Sequence, residues 1–151
     1  MSNNLGIVND VNIRNRRASY EYLFLDTYVA GIILKGTEIK AIRMGLVQIS
    51  DSYCYFDNGE LFVANLHISE YYKGTVNNHE PDRVKKLLLS RREINKLEDK
   101  LKDRGLTVIP TRLFTTDRGL VKLEIVLAKG KKLYDKRESI KDRDIKRDIE
   151  L

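Results

Sequence analysis

The sequence has few of the residues that catalytic and metal-binding sites use most. Its 151 residues include no tryptophan, one cysteine, two histidines and two prolines. The single cysteine, Cys54, cannot form an intramolecular disulfide, so a disulfide framework is excluded. His67 and His79 have no cysteine or further histidine at ligand spacing, which argues against a zinc site. We therefore expect no metal and no cofactor.

Long apolar runs and phosphate-binding loops are missing as well. No stretch is apolar over the length that a bilayer requires, and no leader with a cleavage site is visible, so we expect a cytoplasmic protein outside membranes. No glycine-rich loop follows a predicted strand, which removes the usual cradle of nucleotide-hydrolysing enzymes. The serines show no triad pattern, and no carboxylate pair is singled out for acid–base chemistry. We predict that the protein is not an enzyme.

Basic residues are in excess, with 28 Lys and Arg against 22 Asp and Glu and a pI near 9.4. Such a balance favours an anionic partner, and RNA, DNA or an acidic membrane would each fit. A basic cluster at residues 14–17 directly precedes an aromatic stretch, which would put phosphate contacts beside stacking surfaces. Residues 129–151 carry nine basic and six acidic residues but little apolar surface. We predict that this basic tail is disordered when free, and that residues 1–13 form a flexible arm.

Residues 14–128 have the alternating patterns of a small β-domain with helices. The loop Asp57-Asn58-Gly59 between two aromatic runs predicts a hairpin. Ser90 and Glu93 form a capping box, which predicts a helix that Gly105 ends. A shorter helix is predicted from Gly36 to Gly45, with Thr37 as its cap and Glu38 near the surface. Further strands are predicted at residues 20–26, 30–34, 52–56, 60–66, 107–115 and 119–128.

Because strands and helices come in mixed order without βαβ alternation, we predict a mainly β fold, a small antiparallel barrel with peripheral helices. In the last strand, alternation predicts one buried face and one mostly wet face. In the stretch at residues 20–26, Tyr20, Tyr22 and Phe24 would share one face.

Several short motifs, taken in order, resemble those of one family. They are Asn15-Arg16-Arg17-Ala18, Ala30-Gly31-Ile32, Gly36-Thr37-Glu38-Ile39-Lys40-Ala41-Ile42-Arg43, Asp51-Ser52-Tyr53, Lys86-Leu87-Leu88-Leu89 with Glu93-Ile94, and Ala128-Lys129-Gly130-Lys131-Lys132 with Tyr134-Asp135-Lys136-Arg137. The chain is similar in this respect to SmpB, the SsrA-binding proteins that partner transfer-messenger RNA (tmRNA) in bacterial ribosome rescue. Each motif alone is weak, whereas all of them in this order are specific.

The resemblance implies an oligonucleotide-binding (OB-like) barrel that binds the tRNA-like domain of tmRNA and delivers it to stalled ribosomes. We expect the protein to be a monomer. The tail would probe the small-subunit decoding centre and the empty mRNA channel. The RNA-binding residues that the resemblance implies, with the neighbouring side chains we add to them, are Asn15, Arg16, Arg17, Tyr22, Gly31, Lys40, Arg43, Lys86, Leu88 and Leu89. The tail residues implied for the ribosome are Lys129, Gly130, Lys131, Lys132, Tyr134, Asp135, Lys136 and Arg137.

Two departures from the family pattern bear on these expectations. Val29 stands where the family commonly has an acidic residue that is counted among the RNA contacts, so either that contact is dispensable or a neighbour such as Asp26 substitutes. Ala41 stands where a serine is frequent, which removes one possible hydrogen bond. Two alternatives remain open at this point: a generic OB-type module for single-stranded or structured RNA, and an RNA-processing enzyme.

Overall fold

The computed structural model describes residues 10–72 and 78–131. In that part of the chain there are nine strands and three helices. In chain order they are β1 (Asn12–Arg14), α1 (Arg16–Glu21), β2 (Tyr22–Ile32), α2 (Gly36–Arg43), β3 (Val47–Gln48), β4 (Tyr53–Asp57), β5 (Glu60–Ala64), β6 (His67–Ile68), β7 (Lys85–Leu88), α3 (Arg91–Lys100), β8 (Leu106–Thr115) and β9 (Val121–Gly130).

Six of the strands form a closed antiparallel ring. The hydrogen-bonded order runs β8–β4–β5–β7–β2–β9, and β9 pairs again with β8. Closure leaves these six strands without a free edge, which is the structural definition of a barrel. β1 adds to β8 outside the ring, and β3 and β6 form a separate two-stranded ribbon. The prediction of a mainly β, antiparallel fold with peripheral helices is confirmed.

The core fills the barrel from alternate positions of the strands. Leu123, Ile125 and Leu127 of β9 point inward and are fully or almost fully buried, as the alternation predicts. The prediction of a wet opposite face is wrong for the end of β9, because Val126 and Ala128 are buried too. Helix α1 covers them there and forms a second, smaller apolar cluster on the outside of the sheet.

The start of the domain differs from the prediction at two points. Residues 20–26 and 30–34 are not separate strands, because a single eleven-residue strand, β2, runs from Tyr22 to Ile32. Tyr20 belongs to α1, so it does not share a strand face with Tyr22 and Phe24. Arg17 and Glu21 form an ion pair of 3.0 Å one helical turn apart, which favours helix over strand in this stretch.

Both predicted domain boundaries move outward. Val11 is buried and β1 pairs with β8 along its whole length, so residues 11–13 belong to the domain and not to a flexible arm. At the other end, β9 continues through Gly130, and Lys129 pairs with both β2 and β8. Residues 1–9 and 132–151 lie outside the described part of the chain, so the predictions made for them stay predictions.

The two local sequence signals are confirmed. Asn58 and Gly59 join β4 to β5 with φ values of 52° and 75°, the left-handed pair that a tight hairpin turn requires. The Oγ of Ser90 accepts a hydrogen bond of 3.2 Å from the amide of Glu93, and the Glu93 carboxylate accepts from the Ser90 amide in return. Helix α3 ends at Lys100, five residues before the predicted stop at Gly105.

The shorter helix is confirmed in place but not in its capping. α2 begins at Gly36 with Lys35, and not Thr37, at the N-cap position. Glu38 is fully buried and not near the surface, because the carboxylate accepts from the Lys35 amide at 2.7 Å and binds a distant arginine. Gly45 follows the helix with a φ of 74°, as expected of a residue that ends it.

Replacing Ser90 with alanine should lower the free energy of unfolding by about 1 kcal/mol, because the first turn of α3 then loses its side-chain acceptor. Urea denaturation of the two proteins measures the difference. Ser50→Ala is the matched control, since Ser50 is exposed and caps no helix. Equal midpoints for the Ser90→Ala and Ser50→Ala proteins would contradict the capping role.

Candidate nucleic-acid interface

The outer face of the barrel centres on Gly31, near the end of β2. Gly31 and Val29 alternate with buried residues, so both lie on the outside of the sheet. The strand register places Gly31 opposite Leu88 on β7 and opposite Lys122 on β9. Leu88 is half exposed, and a Cβ on Gly31 would lie 3.4 Å from the Leu88 Cβ. A bare stretch of backbone is therefore flanked by an apolar side chain and an ammonium group.

The same face continues across β7, β5 and β4, with a lysine on β7 and aromatic rings on β5 and β4. Lys86 lies two residues before Leu88 and pairs in register with Phe62. The ring of Phe62 stacks on Tyr55 at a centroid distance of 5.7 Å and an interplanar angle of 26°. Lys86 also contacts the exposed carboxylate of Glu60 at 3.1 Å, an ion pair that solvent screens. Cationic and aromatic groups are thus side by side, the combination that single-stranded nucleic acid binds.

Three predicted RNA-binding residues are largely turned into the protein. Leu89 packs against the main core, and Tyr22 packs against the small cluster under α1. Asn15 is 8% exposed, and its Nδ2 donates a hydrogen bond of 3.0 Å to the carbonyl of Pro110. These three side chains therefore make their main contacts inside the domain and not at its surface.

Helix α1 presents two arginines to solvent next to the end of β9. Arg17 contacts Glu21 at 3.0 Å and Asp51 at 3.6 Å, so its charge is partly neutralised. Arg16 is exposed, and no ion-pair partner for it occurs in residues 10–72 or 78–131. Of the pair, Arg16 is therefore the more available for a phosphate.

The cations of α2 lie at the opposite end of the β8–β9 hairpin from α1. The Lys40 Nζ is 5.5 Å from the centroid of the Tyr71 ring. The Arg43 guanidinium lies beside the turn between β8 and β9, where its Nη2 would be 3.7 Å from a Cβ on Gly119. The predicted residues therefore fall into three groups along one barrel, near α1, around Gly31 and at the end of α2.

A buried ionic cluster holds α2 in position. Glu38 accepts hydrogen bonds from Arg83 Nη2 at 2.6 Å and Nε at 3.2 Å, and its Oε2 is 3.9 Å from Lys85 Nζ. Lys85 is fully buried and donates to the carbonyls of Leu66 and Arg83 at 2.8 Å each. The cluster ties the segment before β7 to the helix that carries Lys40 and Arg43.

The cluster shifts the titration of both buried groups. Burial by itself would raise the pKa of Glu38, but the hydrogen bonds from Arg83 and the Lys35 amide and the charges of Arg83 and Lys85 hold it below its usual value. Burial lowers the pKa of Lys85 to about 8, against the opposing attraction of Glu38. The carboxylate is therefore charged at neutral pH, and the ammonium group is held by its two carbonyl acceptors.

The carboxylate nearest to Val29 on the outer face is Glu124, not Asp26. Asp26 shares its strand face with the buried Tyr28 and hydrogen-bonds Lys100 of α3, which lowers the pKa of the Asp26 carboxyl. Glu124 of β9 is the register partner of Val29. Asp26 therefore lies on the other face of β2 from Val29, so the suggestion that it substitutes for the family's acidic residue is wrong.

Sequence reasoning missed two members of this face, Glu124 and Lys122. Their alternation with buried residues marked them as outward. The sequence does not show that they lie beside Gly31 and Val29, because that depends on the register in which β9 pairs with β2.

Nothing in the described segments is arranged for metal chemistry. No group of three His, Cys, Asp or Glu side chains there is placed to hold an ion. Cys54 is buried, and burial raises the pKa of its thiol. His79 is buried between the Thr37 hydroxyl and the carbonyl of Ile68, and His67 contacts Asp82 at 2.9 Å. Among the described helices, none has the length and apolar character that crossing a membrane requires.

Comparison with known proteins matches the chain to one family almost from end to end. The sequence model of the family described as "SmpB protein" matches residues 12–151. The chain belongs to the SmpB family. Among similar proteins, the SsrA-binding protein of Christiangramia forsetii is 59% identical over 94% of this chain and 90% of its own length. Those of Cytophaga hutchinsonii and Thermosipho melanesiensis are 58% and 51% identical, over 94% and 92% of their own lengths.

A solved structure shares the fold with this SmpB-family chain. It is described as "tmRNA-SmpB: a journey to the center of the bacterial ribosome", and it superposes with a TM-score of 0.69 at 42% identity. The match covers 85% of this chain and 94% of the solved one. The resemblance that the motifs indicated is thereby confirmed over nearly the whole sequence.

Proposed function

We propose that this chain is the RNA-binding adaptor of trans-translation, which binds the tRNA-like domain of tmRNA and delivers it to stalled ribosomes. The observation that carries the proposal is the match to SsrA-binding proteins over almost their entire length, together with a solved relative described as a tmRNA–SmpB structure. Both partners follow from those relatives. We infer that the protein acts as a monomer in the cytoplasm, where ribosomes are found.

The outer face offers the contacts that folded RNA needs. Gly31 has no side chain of its own, so a ribose–phosphate backbone can approach the strand there beside Leu88. Leu88 supplies an apolar surface for a sugar or base, and Lys86 and Lys122 supply charges for phosphates on either side. Most of these contacts would be made with the sugars and phosphates of the RNA, so they would depend on its folded shape more than on its bases. Recognition of this kind suits an adaptor that binds a folded RNA domain.

The predicted residues divide into direct and positional roles. Those placed for direct contact with RNA are Arg16, Arg17, Gly31, Lys40, Arg43, Lys86 and Leu88, to which we add Lys122. Asn15, Tyr22 and Leu89 would act through the elements that they hold. This division predicts that substitutions in the second group lower stability together with affinity.

The tail motif is proposed to serve the ribosome. Lys129 and Gly130 end β9 and pair with β2, so they fix the point from which the tail leaves the barrel. Lys131 continues this anchor, with its amide 2.9 Å from the carbonyl of Glu21 and its Nζ 2.7 Å from that of Ser19. The residues proposed to enter the decoding centre and mRNA channel follow it, namely Lys132, Tyr134, Asp135, Lys136 and Arg137.

A competition experiment tests the RNA preference. Labelled tRNA-like domain of tmRNA is bound to the protein and displaced with unlabelled tRNA-like RNA or with an unstructured oligonucleotide of equal length. We expect the oligonucleotide to compete at least about tenfold less well, a difference of about 1.4 kcal/mol. Equal competition would favour a generic single-strand binder, and cleavage of the labelled RNA would favour a processing enzyme.

A further inference from the structure

A groove beside α1 carries more positive charge than the family motifs account for. It lies between α1 and the outer faces of β1, β8, β9 and β2, next to the face around Gly31. Its lining includes Arg14, Arg16, Phe24, Thr111, Arg112 and Glu124. Three guanidinium groups therefore share the groove with one carboxylate.

Two of these arginines are direct neighbours across paired strands. Arg14 of β1 is the register partner of Arg112 of β8. Like charges directly opposite each other destabilise a strand pair, so an anion bound at Arg14 would relieve the repulsion. Within residues 10–72 and 78–131, neither Arg14 nor Arg16 forms an ion pair. Arg14 and Arg16 thus give the groove two positive charges that no carboxylate of the described residues neutralises.

Arg112 and Glu124 are held rigidly at the floor of the groove. The Arg112 Nη2 is 3.3 Å from Glu124 Oε2, and its Cζ lies 4.1 Å from the centroid of the Phe114 ring. Thr111 donates a hydrogen bond of 2.9 Å to the other carboxylate oxygen of Glu124. Glu124 binds one edge of the Arg112 guanidinium, and the Phe114 ring packs against one of its faces. These two contacts fix the orientation of the remaining N–H donors, which can bind a ligand.

Phe24 forms an aromatic wall of the same groove. Its side chain is 43% exposed, so the ring is accessible to a ligand. An exposed ring next to unpaired arginines is a stacking surface beside phosphate contacts. We propose that this groove binds one unstacked nucleotide of the RNA, with its phosphate between Arg14 and Arg16 and its base against Phe24. The inference rests on the proposed function, because it takes RNA as the ligand.

Charge reversal tests the phosphate contact. Arg14→Glu should weaken binding of the tRNA-like domain at least tenfold more than Arg104→Glu and should lower the slope of log affinity against log salt by about one. Arg104 is the matched control, since it is an exposed arginine in the turn after α3 and makes the same change in net charge. Equal losses in the two variants would overturn the groove. Wild-type protein without preference for tRNA-like RNA would instead overturn the proposed function.

Stacking on Phe24 has its own reporter, because the chain has no tryptophan. In a Phe24→Trp protein, addition of tRNA-like RNA should quench the indole fluorescence as a base stacks on the ring. The control is Leu23→Trp, since Leu23 is similarly exposed, at 41%, but alternates with Phe24 along the strand. Quenching at position 24 well beyond that at position 23 is the expected result. Equal quenching at both positions, or none at either, would overturn the stacking contact.

Discussion

Deletion of residues 132–151 should abolish peptide tagging on stalled ribosomes and leave the affinity for the tRNA-like domain within about twofold. The barrel remains intact because the deletion starts after Lys131, which donates hydrogen bonds to two carbonyls of α1. The deleted segment has seven basic and six acidic residues, so the net charge falls by only one. A change of one charge has a small effect on the electrostatic part of RNA binding.

A longer deletion separates the tail's role from that of the strand it follows. Removing residues 129–151 also removes the pairing of Lys129 with β2 and β8, so this protein should be less stable as well as inactive in tagging. RNA affinity is measured by fluorescence anisotropy, and tagging by translation of a message without a stop codon. A tenfold loss of RNA affinity on deletion of residues 132–151 alone would contradict the division of labour between barrel and tail.

Replacing Glu38 with glutamine should lower the free energy of unfolding by about 3 kcal/mol. Removing one partner of a buried ionic cluster costs about 3–5 kcal/mol, and the lower end applies because the Arg83 side chain is about one quarter exposed. Lys85 cannot reach water in the same way, because its side chain is fully buried. Such a loss is a large share of the about 5–15 kcal/mol by which a domain is typically stable.

The matched control and the pH dependence make this prediction specific. Glu60→Gln removes an ion pair with Lys86 that is well exposed on both sides, so it should cost less than about 1 kcal/mol. The folded-state pKa of Glu38 lies below its ordinary value of 4.5, so its carboxylate stabilises the fold above that pH and loses this effect as the pH falls through the folded-state pKa. The difference between wild type and Glu38→Gln should therefore shrink in acid. A difference that stays constant down to pH 2, or a cost equal to that of Glu60→Gln, would contradict the role of the cluster.

Local chemistry was predictable from the sequence, and non-local pairing was not. The Asn58-Gly59 turn and the Ser90–Glu93 capping box are each decided within four residues, and both occur as predicted. Glu38 was predicted near the surface because Ile39 and Ile42 would face the core, but Arg83, which binds Glu38, is 45 residues away. Nothing in the spacing of these two residues indicates that they meet.

The candidate site shows the same limit. The motifs pointed to Gly31 and Leu88, and the register does make them neighbours. β7 itself was missed, because the run Lys85-Lys86-Leu87-Leu88 reads as polar and then apolar, whereas Lys85 in fact points into the core and binds backbone carbonyls. Only the pairing of β9 with β2 places Lys122 beside Gly31 and Glu124 beside Val29, since these partners on β2 are about ninety residues earlier in the chain.

Co-purification shows directly whether the outer face around Gly31 binds tmRNA in cells. Tagged wild-type protein, Leu88→Asp and Leu25→Asp are isolated from bacterial cells, and the bound RNA is sequenced. Leu25 is the matched control, because it is 51% exposed against 50% for Leu88 and lies elsewhere on β2. We predict that tmRNA is strongly enriched with the wild type and with Leu25→Asp, and that it is lost with Leu88→Asp. The absence of tmRNA from the wild type, or equal recovery with Leu88→Asp, would contradict the account.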